Sequence, residues 1–517
     1  MSWLLLTIIR DGTVVYRQNS AMNDQKSSFR QIFKATSLFG GVQVFQIIIT
    51  ILRSKIIAVL LGPAGMGISG LFNSATNTIA WMTSMGLDTS AVKNISEANA
   101  KEDEERVGLV ITVFRRLVWI TGLLGLVATL ALSPWLSEVT FNSSEYTIAF
   151  ILLSITLLFN QLGNGQRVLL QATRKLEYLA KSGMAGAVVG LILSAPLYYF
   201  WRTDGIVPAI IVSSMIGLAL AFYYGRRVPV KKVKVDWKTV FTEGEGMLRM
   251  GVMLSLSGLI TTGAAYIMRV YIGRVGGIEE VGLYHAGFAI VTTYVGLVFS
   301  AMGTDYYPRL SGVSHDNAQA ARLINQQSEV AILILAPILT VFLIFINLVV
   351  ILIYSTQFTP VDGMIHWAAL GMYFKAVSWA IAFILLAKGE SKLFFWNELI
   401  ANTYTLGFNI IGYKLAGLDG LGISFLVGYV VYLIQVYVLA KTKYRFAFDP
   451  DFYRIFLFQF VLGLLCFLVV QWFSEPLSYA VGMPLIILSC VYSFRQMDKR
   501  MDMKSVVSDI KRRFIKK

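Results

Sequence analysis

Apolar runs of about 20 residues, the length that crosses the hydrocarbon of a bilayer, recur along the chain with short polar breaks between them. They predict helical spans at 37–61, 67–87, 117–136, 146–170, 183–200 and 206–224. The stretch 225–249 interrupts this rhythm. It contains RRVPVKKVKVDWK and too few apolar residues to enter the bilayer, so it reads as a basic linker. Six more spans follow at 250–272, 281–302, 331–353, 364–387, 393–411 and 421–439, and two extra ones at 455–473 and 477–494. The organisation predicted is an all-α polytopic membrane protein with about fourteen transmembrane helices. It comprises a leader (1–36), an N-lobe (37–224), the linker (225–249), a C-lobe (250–440), two additional helices (441–494) and a basic tail (495–517).

The two sets of six spans resemble each other. SMGLDTSAVKNIS (84–96) closes the second span and SAMGTDYYPRLS (300–311) the eighth, both with Gly and then Asp two residues later at a helix end. Asp204-Gly205-Ile206 precedes the sixth span and Asp419-Gly420-Leu421 the twelfth, and Arg53 in the first span has a counterpart in Arg269 in the seventh. An even number of spans per set gives both the same orientation, hence two lobes related by a pseudo-two-fold axis along the membrane normal. Transporters built in this way hold substrate between their halves.

Charge fixes the expected orientation. With both termini inside, 37 of the 45 Lys and Arg fall on the cytoplasmic segments, the bias that membrane insertion imposes. The formal charge of +15 is then topological. The loops are too short to form a nucleic-acid-binding module. Hydrophobic residues make up 56% and charged ones 15%, against roughly 45–50% and 25% in soluble domains. Cys466 and Cys490 both fall in predicted spans, which leaves no disulfide framework. The segment 1–28 lacks a cationic region before its apolar run, so it reads as a cytoplasmic leader, with Met22 as an alternative start.

An ionisable group inside a span costs roughly 2.5–3.5 kcal/mol on insertion scales and is kept only when it faces protein, water or a partner. Lys375 lies near the middle of the tenth span. It is either a cationic cavity wall that meets an anionic substrate or half of a structural pair with a carboxylate such as Glu398. Arg53 and Lys55, two residues apart, point about 200° from one another on a helix and cannot both face one cavity; with Arg269 and Arg274 they are either cavity cations or snorkelling side chains. Asn160, Asn164, Arg167 and Gln171 share one face of the fourth span. That stripe lines water or substrate, or joins helices by hydrogen bonds. Asp88 and Asp305 terminate helices, pair with Lys93 and Arg309, or form a cytoplasmic gate. His285, His315 and His366 have no metal-ligand spacing. The glycine-rich 62–70 segment has no phosphate-loop context and reads as a tight outer turn.

The run LRSKIIAVLLGPAGMGISGLF (52–72) resembles the start of Wzx-type polysaccharide flippases of the MOP superfamily. YIM (266–268), EVGLY (280–284) and the YPRLS end of the eighth span extend the likeness over about 35–441. The resemblance implies a two-lobed, non-enzymatic transporter of the inner membrane with basic residues lining its central cavity. Its substrate would be undecaprenyl-diphosphate-linked oligosaccharide, moved from the cytoplasmic to the periplasmic leaflet. Lys55, before the GPAG turn, is the cation that the likeness carries over; Arg53 has no fixed counterpart in the pattern. No cofactor is expected, and an H+ or Na+ gradient is a candidate driving force. The expected partners are the lipid-linked glycan, the bilayer and other polysaccharide-assembly membrane proteins. Two alternatives stay within the superfamily, a lipid II flippase and a MATE-like exporter. A polymerase or ligase would need a large outer loop, and the longest predicted ones span nine or ten residues.

Overall fold

The computed structural model describes residues 44–100, 103–231 and 233–501; the leader and most of the basic tail lie outside the described residues. Regular structure among these residues is entirely helical, and ten helices are long and apolar enough to cross a membrane. The first, α1, runs Val44–Ser84. It is followed by α2 (Leu87–Ala100), α3 (Glu104–Phe141), α4 (Thr147–Ala172), α5 (Leu176–Trp201), α6 (Ile206–Gly225) and α7 (Trp237–Val275). The second half holds α8 (Ile278–Phe288), α9 (Leu297–Gly312), α10 (Asn317–Ile353), α11 (Asp362–Ala387), α12 (Ser391–Tyr444), α13 (Pro450–Trp472) and α14 (Leu477–Met501).

The two longest of these helices are each broken at a residue of positive φ. The 54 residues of α12 would reach about 80 Å if straight, but the backbone breaks at Ala416 and at Gly417 (φ +55°). Helix α1 breaks likewise at Gly62, φ +65°, with Pro63 just beyond, where proline ends the hydrogen-bond ladder of the incoming helix. Each therefore folds back as two of the predicted spans.

Other boundaries differ from expectation. Helix α7 begins at Trp237, capped by Asp236 accepting from the Thr239 N–H at 3.3 Å, so residues 237–249 of the expected linker are its first turns. The expected span 281–302 is interrupted by a π-helical stretch, Ala289–Tyr294, between α8 and α9. SMGLD and AMGTD do not share a backbone: Met85 and Gly86, at φ +50° and +58°, end α1, whereas Gly303 and Asp305 lie inside α9.

The lobes are visible in the packing. Helices α3, α4, α5 and α6 pack on one another; α10, α11 and α12 form a second group, with α13 and α14 against α10. Helix α7 touches α2 and α3 as well as α12 and so bridges the two. The repeat is sharpest at the end of the molecule that carries the Gly62 break, called here the turn end. Gly62, Pro63, Gly67, Arg202, Asp204 and Gly205 recur as Gly277, Ile278, Gly282, Gly417, Asp419 and Gly420, each the same number of positions on. Arg202 (φ +49°, ψ −126°) and Gly417 (φ +55°, ψ −134°) adopt the same rare conformation. A Cβ on Gly205 would lie 2.2 Å from the Leu197 carbonyl oxygen, and one on Gly420 1.8 Å from that of Gly412; each glycine lets a helix return against the one before it.

Across the lobes the contact is reciprocal. A Cβ on Gly67 would sit 2.1 Å from the Ile278 carbonyl oxygen, and one on Gly282 1.8 Å from that of Pro63. That is the self-complementary pairing a two-fold axis demands. The opposite end, which carries the 226–236 linker, is also joined. There Gly86 and Gly251 meet backbone to backbone, each Cβ position 2.1 Å from a carbonyl oxygen across the contact, and Arg106 of α3 pairs with Glu243 of α7 at 2.7 Å.

Candidate substrate cavity

Three helical segments of the C-lobe, α11 and the two halves of α12, present residues at helical spacing to a common space. Lys375, Ser378, Trp379 and Ala382 come from α11, Glu398, Asn402, Thr405 and Asn409 from the first half of α12, and Phe425, Tyr429 and Tyr432 from its second half. Such i, i+4, i+7 series fall on one helix face. They line a cavity of about 550 Å³, closed on another side by Thr261 of α7, Phe288 of α8 and Thr292 of the π stretch. Gly371, one turn before Lys375, sets the spacing: a Cβ there would be 2.7 Å from the Phe425 ring and 3.0 Å from the Leu426 backbone.

The Lys375 ammonium sits over three rings, 5.2 Å from the centroid of Tyr429, 5.7 Å from Phe425 and 5.8 Å from Phe299. Aromatic faces stabilise a cation without neutralising it. The structural pair with Glu398 is not formed: Glu398 Oε1 accepts from Tyr432 Oη at 2.6 Å and Asn397 Nδ2 at 3.2 Å. Asn409 Oδ1 is buried without a partner among the described residues. The cavity thus combines a cation with no ion pair among the described residues, aromatic faces and amide and carboxylate groups, a set suited to a polar, ring-shaped, anionic ligand.

The remaining candidate cations are placed differently. Arg53 reaches between α5 and α6, its Nη2 against Gly190. Its repeat counterpart Arg269 donates to the Ala265 carbonyl at 3.2 Å and lies over the Tyr284 ring at 5.8 Å. Both carry a buried Nε–H without a partner among the described residues. Lys55 points away from Arg53 and donates to the Ile351 carbonyl, near the C-terminus of α10, at 2.9 Å. Arg274 of α7 does the equivalent across the lobes, donating to the Glu138 and Val139 carbonyls near the end of α3 at 3.3 and 3.0 Å. Each puts a positive charge at the negative end of a helix dipole.

Part of the α4 stripe comes together with α2. Asn164 Nδ2 donates to Asp88 Oδ2 at 3.4 Å, and Arg167 lies against Gly163 and Gly217 within reach of the same carboxylate's field. Burial pushes the Asp88 carboxyl above its ordinary range, and Arg167 and then Asn164 draw it back. The expected Asp88–Lys93 pair is absent because Lys93 pairs with Glu97 at 3.8 Å; Asp305 does pair with Arg309, at 3.1 Å. Asn160 and Gln171 are exposed. His366 Nε2 lies 3.0 Å from the Leu343 carbonyl oxygen, His285 packs against Gly70, and no metal-holding cluster occurs among the described residues. Trp379, Asn402, Asn409, Tyr429 and Tyr432 were not singled out in the sequence, although their spacing along α11 and α12 was readable there.

Comparisons with known proteins agree with this architecture. The chain is 21% identical over 389 residues to the Lipid III flippase of Escherichia coli (strain K12), covering 74% of this chain and 91% of that one. Its fold is similar to that of the lipid II flippase MurJ in an inward closed conformation (TM-score 0.65, 14% identity, 89% of this chain and 99% of the other). It is also similar to an inward-facing multidrug resistance MATE transporter of the MOP superfamily (TM-score 0.63, 16% identity, 79% and 98%). These relatives are flippases and transporters rather than enzymes. The sequence profile of the family described as "Polysaccharide biosynthesis protein" matches residues 56–362, more than half of the chain, and the protein therefore belongs to that family, built on the all-helical fold of the MOP superfamily.

Proposed function

We propose that the chain is a flippase that carries an undecaprenyl-diphosphate-linked oligosaccharide, an O-antigen or other surface-polysaccharide repeat unit, from the cytoplasmic to the periplasmic leaflet of the bacterial inner membrane by alternating access. The linker end is cytoplasmic in this reading, on the charge bias of the loops, both termini are inside and the chain crosses fourteen times. The cavity around Lys375 carries the proposal. Rings and amides suit sugar faces and hydroxyls, while the uncompensated ammonium suits a phosphate or an acidic sugar. Arg53 and Arg269, each with an unused Nε–H, are the second pair of anion contacts, and the Arg167–Asn164–Asp88 set lies on the path from the linker end. An H+ or Na+ gradient is the proposed driving force.

Glycan display in a flippase-null strain, normalised to inserted protein, tests it. Lys375→Arg keeps most of the display, Lys375→Ala loses it, and Lys375→Glu is worst because it repels the anion as well. Full display by Lys375→Ala would remove the cavity from the mechanism. A reporter fused after Lys234 should read as cytoplasmic; periplasmic activity there would invert the orientation.

A further inference from the structure

A second cavity, of about 330 Å³, lies on the outside of the N-lobe where α3, α4 and α6 meet near the linker end. Helix α3 leaves that end and α6 returns to it, and the two place the same pair of residue types at matching depths. Arg115 stands two residues before the predicted span 117–136, with Trp119 four residues on. Arg226 stands two residues after the predicted span 206–224, with Phe222 four residues before it. On each helix an arginine therefore sits at the membrane boundary and an aromatic ring lies about 6 Å deeper. Leu162 and Gly165 of α4 form the back wall between them. A Cβ on Gly165 would meet Val118 at 3.0 Å, so the wall is cut back to the helix backbone.

Two features say what occupies this space. Trp119 and Phe222 are 51% and 41% exposed, so the groove opens sideways to lipid rather than into the lobe. Neither arginine joins an ion pair among the described residues, whereas Arg106, Lys181 and Lys231 nearby each pair with a carboxylate at 2.7 Å. No carboxylate lines the cavity, and the Arg226 guanidinium is held over the Phe222 ring at 4.5 Å. We infer that Arg115 and Arg226 clamp the phosphodiester headgroup of an anionic phospholipid, with one acyl chain lying along Trp119, Phe222 and Leu162. Basic pockets between spanning helices recognise lipid headgroups in this way. The site is separate from the cavity around Lys375 and does not depend on what the protein transports.

The test is lipid retention by the purified full chain, read by native mass spectrometry with phosphatidylglycerol and phosphatidylcholine supplied in equal amounts. The wild type should retain phosphatidylglycerol preferentially. Arg115→Gln and Arg226→Gln should each weaken that preference about five-fold, the factor expected for one juxtamembrane cation, and the double variant should abolish it. Arg115→Lys should restore most of it, and Lys181→Gln, at a paired cation on the same face, should leave it unchanged. Trp119→Ala should lower retention of both lipids alike. A double variant that keeps the preference would overturn the site. So would a wild type that shows no preference between the two lipids but binds millimolar inorganic phosphate, since the groove would then hold an ion and not a lipid.

Discussion

Arg202 shows how one residue serves two demands. Its φ of +49° is the conformation its repeat counterpart satisfies with Gly417, and a side-chained residue held there costs about 1–3 kcal/mol. Its guanidinium compensates by donating to the Leu60 carbonyl at 3.0 Å, closing the end of the first half of α1. Arg202→Ala keeps the strain and loses the hydrogen bond, whereas Arg202→Gly loses both, so the glycine variant should melt above the alanine variant in a detergent unfolding series. Equal melting temperatures would show that the backbone there is unstrained. The residue scale is also where the sequence was least complete. The helical angle between Arg53 and Lys55 foretold that they would part, but not that one would enter the N-lobe and the other reach α10. Asp88 could not be matched to Asn164 and Arg167 because those lie far along the chain, and proximity in sequence suggested Lys93 instead. Lys375 stood out as a charge in an apolar run, while the rings that hold it looked like ordinary membrane-helix filling.

Among the elements, α7 has the most to do, since it belongs to one lobe and touches both. Counting apolar residues located its span but not its start, because hydropathy senses only the bilayer. Residues 237–249 continue the helix ahead of the apolar stretch, because the backbone keeps its own hydrogen bonds whatever the side chains. That extension brings Glu243 to Arg106. The hydrogen bond from Arg106 holds the Glu243 carboxyl below its usual range; stability from a carboxylate so depressed is present above its free value of 4.5 and is lost as the pH falls through the bound value. The two side chains are 47% and 34% exposed, so the effect is small, up to about 1 kcal/mol. Spin labels on α3 and α7 at the linker end should therefore show a modest widening of the distance distribution as the pH falls below about 4.5, into the range where carboxylates titrate. Glu243→Gln should show the same widening at pH 7. An unchanged distribution in that variant would mean that the Gly86–Gly251 contact alone closes this end. The breaks in α1 and α12 were more legible, since Gly-Pro and Asp-Gly punctuate the apolar runs.

The two lobes are joined at both ends of the molecule by contacts that must part in turn if it alternates. At the turn end these are the reciprocal Gly67 and Gly282 contacts and the Lys55 and Arg274 bonds. Gly67→Ala or Gly282→Ala forces a methyl group to within about 2 Å of a carbonyl oxygen. Either should shift the lobes toward opening at that end, measurable as faster labelling of a cysteine introduced at Ser69. Labelling at the wild-type rate would mean that the turns relax locally without moving the lobes. Lys55→Met and Arg274→Gln should act in the same direction, with Lys55→Arg close to wild type. The two-lobed plan itself could be read from repeated motifs; the reciprocity could not, because it depends on which residue of each turn faces the other.

The Lys55 and Arg274 contacts have one more property. Their acceptors are main-chain oxygens of Ile351, Glu138 and Val139, which every amino acid supplies, so drift in the side chains of α10 and α3 cannot delete them. Mutational vulnerability at this closure is therefore one-sided: a single change at a donor removes a contact, while the helix that receives it is free to vary.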